Sequence, residues 1–370
     1  MKQKPNILII GDMPGWAFHQ MIDFVRTHIR DYQIYYDFTI YNPSSVNSVQ
    51  SDVSFEHNTT VQNSYRKRIP FQRIPGIKGL VYRLVKVLNQ YGVLRFNEEG
   101  LFRRIKDDNS YDLVVYLDYY MDVDADFMHL KAGKTVKGIF TAQFPPKGIA
   151  LEKEITLDQF CAQYLSNCDA LLVGAPSINQ TYHEVFKKPI FFANMAYNEQ
   201  LFRYRSRQRK ENEPFIIGWS GNPNRDFKGF YTHVIPTVET LNSLGYSVAL
   251  KTQFEGEFST LVDFWNSVDL ALIASNADAG PSMFMEASLC GIPSVSTRVG
   301  MPLVVIEDGV NGVFCERNVE DMVNNIKSLI ENQALYNTMR SSIRSSYIRK
   351  LGVEVQIENW KSLFQSMIHE

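Results

Sequence analysis

Three consecutive stretches constrain this chain more than any other part of it: the run Val268 to Ser275, the segment Asn276 to Pro293, and the run Ser294 to Thr297. The outer two are apolar or β-prone and of strand length, so they read as buried strands. Between them Pro281 suits the first position of a helix, and Gly291 followed by Pro293 is a stop signal. Strand, tight loop, helix, strand is the unit of a parallel α/β sheet. The loop Asn276-Ala277-Asp278-Ala279-Gly280 then feeds a helix N-terminus at the carboxyl edge of that sheet, which is a ready anion site.

A chain of 370 residues is too long for one typical core, so two domains are expected. The net charge of −2 gives no global basic surface, and a nucleic-acid partner is not expected. Cys161, Cys168, Cys290 and Cys315 form no C-x-x-C pair and join no His cluster, so neither a disulfide framework nor a zinc site is indicated. A reducing cytoplasm is the simplest setting. The first apolar run, Ile7 to Ile10 after Lys2 and Lys4, is too short for a signal peptide, and no segment approaches the ~20 apolar residues of a spanning helix.

In chain order, strand and helix patterns alternate. Asn6 to Ile10 reads as a strand, Trp16 to Ile29 as a helix, and Tyr32 to Ile40 as a second strand. Gly15, before the first helix, would allow a ligand close to the backbone, although a lone glycine there is more often only a turn. Strands follow at Tyr111 to Leu117, Lys137 to Ala142, Ala170 to Gly174 and Pro189 to Ala193, with a stiff loop Gln143-Phe144-Pro145-Pro146 after the second of these. Arg203 to Pro214 lacks apolar periodicity and reads as a linker. Phe215 to Trp219 starts a new domain and is followed by Ser220 to Gly229, a Gly/Asn/Pro loop whose Arg225 and Lys228 would suit a diphosphate, although surface loops also carry such cations for solubility alone. Helical patterns cover Phe230 to Leu244, Leu261 to Trp265, Val319 to Ile330, Leu335 to Ile348 and Val355 to Met367, with a strand at Ser247 to Lys251.

Two other features bear on partners. Residues 65–106 carry eleven Lys and Arg against Glu98 and Glu99, with Leu80, Val81, Leu84, Val85 and Leu88 at helical spacing. Such a helix could lie on an anionic membrane or pack on the core with a solvated basic face. The acidic run Asp122-Val123-Asp124-Ala125-Asp126 matches the D-x-D signature of metal-dependent sugar transferases, but such tripeptides are common by chance and this one more plausibly starts a helix carrying Phe127 and Leu130.

The second half resembles the group 1 transferases, family 4 of the retaining nucleotide-sugar glycosyltransferases, which have the GT-B fold. The resemblance rests on landmarks in family order. Lys228-Gly229 is similar to the Lys-Gly after the first strand of the second domain, and Phe264-Trp265-Asn266-Ser267-Val268-Asp269 to "Phe-Tyr-x-x-Ala-Asp". Asp278 and Glu286 are spaced as in the E-x7-E motif. Val299-Gly300 through Glu307-Asp308-Gly309-Val310-Asn311-Gly312 follows the family's "Val-Gly…Glu-Asp-Gly-x-Asn-Gly". Upstream, Asn194-Met195-Ala196-Tyr197 to Leu201-Phe202 is similar to "Asn-Gly-Val-Asp…Leu-Phe".

The resemblance implies an α/β chain of two Rossmann-like domains facing each other across a cleft. The acceptor-binding domain would span 1–205, the nucleotide-sugar domain 214–352, and a last helix, 353–370 with Trp360, would cross back to the first domain. Glu286 would take the ribose hydroxyls, Asp278 would hold the donor sugar, and Arg225 and Lys228 would offset diphosphate charge with the amides of Gly280, Ser282 and Met283. Gly15 would face the donor across the cleft, and Gln143 stands where many relatives have a His near the reacting sugar. No cofactor and no metal are implied beyond the nucleoside-diphosphate sugar itself. The acceptor would be a glycan or lipid-linked saccharide of the cell envelope, transfer a retaining hexosyl or pentosyl transfer, and the setting cytoplasmic or at the inner membrane face through 65–106.

Three departures stand out. Asp278 is a methylene shorter than the family's glutamate, about 1.5 Å in reach. Gln143 cannot serve as acid or base, and Trp219 stands where Arg often follows Gly. They leave a second reading open, a non-catalytic relative that binds nucleotide sugar or glycan as a partner subunit. A metal-dependent transferase using Asp122 and Asp124 is a third.

Overall fold

The computed structural model describes residues 4–12, 17–39, 95–96, 102–103, 111–123, 132–146, 155–205, 213–254 and 259–369. Gly15, Asp124, Asp126 and nearly all of the basic segment 65–106 lie outside the described residues.

Two parallel sheets organise the chain. The first contains β1 (Asn6–Gly11), β2 (Gln33–Phe38), β5 (Tyr111–Tyr116), β6 (Ala132–Ile139), β7 (Ala170–Val173) and β8 (Ile190–Phe192), while β3 (Arg95–Phe96) and β4 (Phe102–Arg103) pair separately as an antiparallel ribbon. Its order is β2-β1-β5-β6-β7-β8, every neighbouring pair parallel. The second contains β9 (Phe215–Ser220), β10 (Val248–Gln253), β11 (Leu270–Ile273), β12 (Ser294–Ser296) and β13 (Val313–Phe314), in the order β10-β9-β11-β12-β13. Central strands in both are buried along their length, as Ile7 to Ile10 and Leu270 to Ile273 illustrate, because helices cover both faces of a parallel sheet.

Helices α1 (Ala17–His28), α2 (Leu157–Phe160) and α3 (Pro176–Tyr182) belong to the first half. The second half holds α4 (Ile235–Ser243), α5 (Thr260–Trp265), α6 (Ser282–Leu289), α7 (Pro302–Val305), α8 (Val319–Glu331) and α9 (Gln333–Leu351). The final helix α10 (Val353–His369) returns to the first sheet, where Trp360, Leu363 and Phe364 share a buried cluster with Ile7 to Ile10. Trp360 Nε1 donates to Asn194 O at 3.0 Å, and Gln356 Oε1 accepts from Asn194 N–H at 2.8 Å. The chain therefore passes between the two halves twice, near Asn194 and near Gly352.

Several boundaries differ from the sequence reading. β6 was expected at Lys137 to Ala142 but runs from Ala132 to Ile139, in register with β5 from Tyr111↔Ala132 to Tyr116↔Lys137. Its first half hides from apolar periodicity because it reads Gly-Lys-Thr-Val-Lys, and Lys137 is buried. Lys137 is tolerated there because Asp122 Oδ2 lies 2.7 Å from its ammonium and the Tyr164 carbonyl accepts from it at 2.5 Å. Asp122 also accepts from Asn167 Nδ2 at 2.7 Å. Taken up as the counter-ion of a buried lysine, Asp122 is withdrawn from the metal clamp that the D-x-D spacing suggested. The helix expected from Phe230 opens with a π-helical turn, Phe230–Val234, before α4. The strand expected over Val268 to Ser275 contracts to Leu270–Ile273, since Asp269 turns inward to accept the Ile216 N–H at 2.8 Å.

Candidate active site

The site is built where two loops of the second domain meet at the carboxyl edge of its sheet. The first loop follows β9. Asp226–Lys228 form a 3-10 turn that Gly229 closes in a left-handed conformation, φ 69°. A Cβ on Gly229 would lie 2.7 Å from Ala274 O, so only glycine lets this turn rest on the end of β11. Phe227 O accepts the Asn276 N–H at 2.9 Å, which stitches the two loops together and carries Lys228 to the second. Arg317, from the loop between β13 and α8, donates from Nε to the same Ala274 carbonyl at 2.9 Å.

The second loop, Ser275 to Pro281, rests on the Val299-Gly300-Met301 turn. Met301 N–H donates to Ala279 O at 3.1 Å, and Gly300 has φ 33°. A Cβ there would stand 2.0 Å from Ala279 O and 2.3 Å from Asp278 O. Gly300→Ala therefore meets backbone rather than a flexible side chain, and should destabilise the fold by about 2–4 kcal/mol. Urea denaturation measures it, and a loss under about 0.5 kcal/mol would show that the loop has another place to go.

Between these loops Lys228 Nζ and Asp278 Oδ2 lie 3.0 Å apart, with side chains only 14% and 13% exposed. Asp278 Oδ1 also accepts the Gly280 N–H at 3.2 Å, an Asx-type turn that its short side chain makes easy. The sequence reading offered Lys228 and the Gly280 amide directly to a diphosphate and Asp278 to a sugar. In the structure the three are joined to one another, because Asp278 reaches its own loop and the lysine rather than outward.

Glu286 sits one turn into α6 and is 3% exposed. Burial pushes its carboxyl up to about 7, against the Trp265 hydrogen bond and the Lys228 charge, which both favour the ionised form. Trp265 Nε1 donates to Glu286 Oε2 at 2.9 Å and so fixes the carboxylate's orientation. That role was not assigned from sequence, although Trp265 lies inside a quoted landmark. Its neighbour Asn266 grips the interdomain linker: Oδ1 accepts the Arg205 N–H at 2.7 Å and Nδ2 donates to Arg203 O at 3.1 Å.

Ser282 and Met283 head α6, so their amide N–H groups find no partner within the helix. Pro281 precedes the helix in an extended conformation instead of occupying its first position. Arg225 is exposed at the start of the 3-10 turn, outside the Lys228–Asp278 contact. Gln143 is exposed in the loop after β6, its N–H donating to Thr141 Oγ1 at 3.3 Å. Among the described residues, no hydrogen bond or ion pair joins its side chain to Lys228, Asp278 or Glu286. The Glu307 to Gly312 landmark is a structural turn: buried Asn311 accepts the Glu307 N–H at 2.8 Å and donates to Val305 O at 3.0 Å. Tyr197, missed as a site residue, is buried, and burial together with the nearby Glu286 and Asp278 carboxylates pushes the pKa of its phenol up.

Two Rossmann-like parallel sheets, with an acid–lysine pair and a buried glutamate at the carboxyl edge of the second, define the GT-B class of fold. Residues 239–346 match the family model for glycosyl transferases group 1, which places the second domain in that family. N-acetyl-alpha-D-glucosaminyl L-malate synthase of Bacillus anthracis is 23% identical over 118 residues, a match covering 32% of this chain and 31% of that protein. The matched segment thus spans about a third of that curated relative. Among solved structures, Anabaena Alr3699/HepE in complex with UDP and glucose aligns at TM-score 0.60 and 13% identity over 97% of this chain and 99% of its own. Sucrose-phosphate synthase from Thermosynechococcus elongatus aligns at TM-score 0.64 and 14% identity over 99% of this chain and 100% of its own. At these identities the structural likeness is one of fold. No helix among the described residues is long and apolar enough to cross a membrane.

Proposed function

We propose that the protein is a retaining glycosyltransferase that moves a hexosyl or pentosyl group from a nucleoside-diphosphate sugar to a glycan or lipid-linked acceptor held by the first domain. The observation that carries this reading is Glu286, a buried carboxylate oriented by Trp265 one turn inside a helix whose first amides and nearest lysine suit a diphosphate. Ribose hydroxyls would donate to Glu286, and the diphosphate would displace Asp278 from Lys228. In transfer, the bond between the anomeric carbon and the diphosphate oxygen breaks and the acceptor oxygen bonds to the same face. The acceptor's proton passes to the departing diphosphate. Lys228 and the amides of Ser282 and Met283 stabilise the charge that builds on that leaving group, the sort of contribution that mutation of one donor shows to be worth about 10²–10³ in rate. No metal or cofactor enters this account.

UDP in the HepE structure and the glucosaminyl product of the B. anthracis synthase support a nucleotide-sugar donor by analogy. A cell-envelope acceptor and contact of 65–106 with an anionic membrane remain parts of the proposal that rest on sequence alone. The non-catalytic reading is favoured by one observation, the Lys228–Asp278 pair that closes the anion site on itself. A thermal-shift screen with UDP, GDP, ADP and CDP, followed by turnover of the matching sugar donors, decides between them. A nucleotide at a hundred times its dissociation constant should add about 2.7 kcal/mol. Binding without product for any donor would reject the enzyme, and no binding at all would reject the donor site.

A further inference from the structure

We propose that Asp278 is the residue by which this site tells an intact sugar donor from the nucleoside diphosphate left after transfer: its carboxylate holds the place of a phosphate in the free protein and returns to that place once the sugar has gone. The proposal rests on the reading of Lys228 and the head of α6 as the diphosphate side of a donor site.

The contacts of Asp278 are those of a captured anion. Lys228 Nζ and Asp278 Oδ2 lie 3.0 Å apart, and Asp278 Oδ1 accepts the Gly280 N–H at 3.2 Å. An ammonium and a loop amide beside a helix start are donors that phosphate oxygens would take, and one carboxylate uses both. The lysine is held from its own side. Its stem passes Gly221, where a Cβ would stand 4.0 Å from Lys228 Cδ, and its ammonium lies 5.5 Å from the centre of the Phe227 ring.

The backbone that carries Asp278 is pinned on both sides of it. Asn276 N–H donates to Phe227 O at 2.9 Å, and Ala279 O accepts the Met301 N–H at 3.1 Å. The Gly300 turn closes on the same stretch, since a Cβ there would stand 2.3 Å from Asp278 O. A diphosphate that takes Lys228 can therefore turn the Asp278 side chain aside, but it cannot send the residue away. The displaced carboxylate stays beside the phosphates with two oxygens that have lost their donors.

Its next partner differs between the two ligands. In an intact donor the sugar is bonded to the second phosphate and brings hydroxyls to that place, which donate to the carboxylate. The free nucleoside diphosphate brings no such donors and carries more negative charge on its terminal phosphate, so the carboxylate is stranded against a like charge. Disfavouring the wrong ligand in this way needs no added affinity for the right one. The family landmark has Glu where this chain has Asp278, and the shorter acid is the one that closes an Asx-type turn on the amide two residues on.

Asp278→Asn removes the charge and keeps an acceptor for the Gly280 N–H, and Asp278→Ser does the same with a smaller group. Calorimetric titration without acceptor uses inorganic pyrophosphate, then whichever of UDP, GDP, ADP or CDP binds. Each variant should bind these about tenfold or more tighter than wild type, the worth of one hydrogen bond to a charged group. Loosening of the loop would weaken binding instead. Whichever sugar donor of that nucleotide binds wild type most tightly should gain less than about threefold from the same changes, so that the preference for donor over diphosphate collapses. Affinities for pyrophosphate and nucleotide within about twofold of wild type in both variants would overturn the proposal. An equal gain for diphosphate and sugar donor, or a wild type that binds the two alike, would overturn it as well. Those outcomes leave the donor site standing, whereas failure of wild type and both variants to bind any of the four nucleotides would overturn the donor reading itself.

Discussion

Glu286→Gln is expected to stabilise the folded protein at pH 8 while weakening nucleotide binding by about 10–100-fold, the worth of one or two hydrogen bonds to a charged group. Both effects follow from burial. The carboxyl is held at about 7 in the fold, above its ordinary value of 4.5, because ionising it inside the second domain forfeits water. Below about pH 4.5 it is protonated folded and unfolded, and contributes no pH dependence. Between there and about 7 the fold keeps a proton that the unfolded chain releases, so stability falls as pH rises and levels off above 7. Glutamine keeps an acceptor for Trp265 Nε1 and never ionises, so its advantage in melting temperature should be absent near pH 4.5 and complete by pH 8, on the order of 3 kcal/mol.

Binding should show the opposite trend. Ribose hydroxyls need the ionised carboxylate, so wild-type affinity should climb between pH 6 and 8 and the Gln variant should lack that climb. Calorimetric titration of a nucleoside diphosphate at pH 6, 7 and 8, beside thermal melts of both proteins, measures the two trends. Equal pH dependence of affinity in both would remove Glu286 from the nucleotide site. A Gln variant less stable at pH 8 would show that ionised Glu286 has more support than Trp265 and Lys228 provide.

Lys228→Met should lower turnover by about 10²–10³ and cost about 2–4 kcal/mol of stability. The stability loss comes from Asp278, which keeps the Gly280 N–H but loses its counter-charge in a site where both side chains are mostly covered. Adding Asp278→Asn removes the stranded charge. The double variant should recover most of the stability and none of the turnover, a separation that marks Lys228 as the group serving the leaving diphosphate. Denaturant melts and initial rates on the four proteins of that cycle test it. Turnover within about threefold of wild type in Lys228→Met would move transition-state charge stabilisation elsewhere, the amides of α6 being the remaining candidates.

Much of the architecture was legible because parallel strands buried on both faces are written as short apolar runs. Ile7 to Ile10, Leu113 to Tyr116 and Leu270 to Ile273 show this plainly. β6 was displaced in the reading because its polar half is made acceptable only by a partner 15 residues away, Asp122 for Lys137. Local pattern holds no trace of such a pairing. The landmark spacings likewise pointed to Lys228, Asp278 and Glu286, and glycines 229 and 300 explain two of those landmarks by close backbone approach. What they could not convey was the state of the side chains.

From residue order alone came the two α/β halves, since periodicity and turn residues are properties of the chain itself, while the crossing last helix and the groups at the second sheet's edge came from the resemblance of its landmarks to a known family. Tertiary structure alone decided that Asp278 holds Lys228 and the Gly280 amide and that Trp265 orients Glu286. These contacts join residues up to 50 positions apart in sequence. Their existence depends on burial and reach in three dimensions, and on a short carboxylate that meets both the amide of its own loop and the lysine of the next.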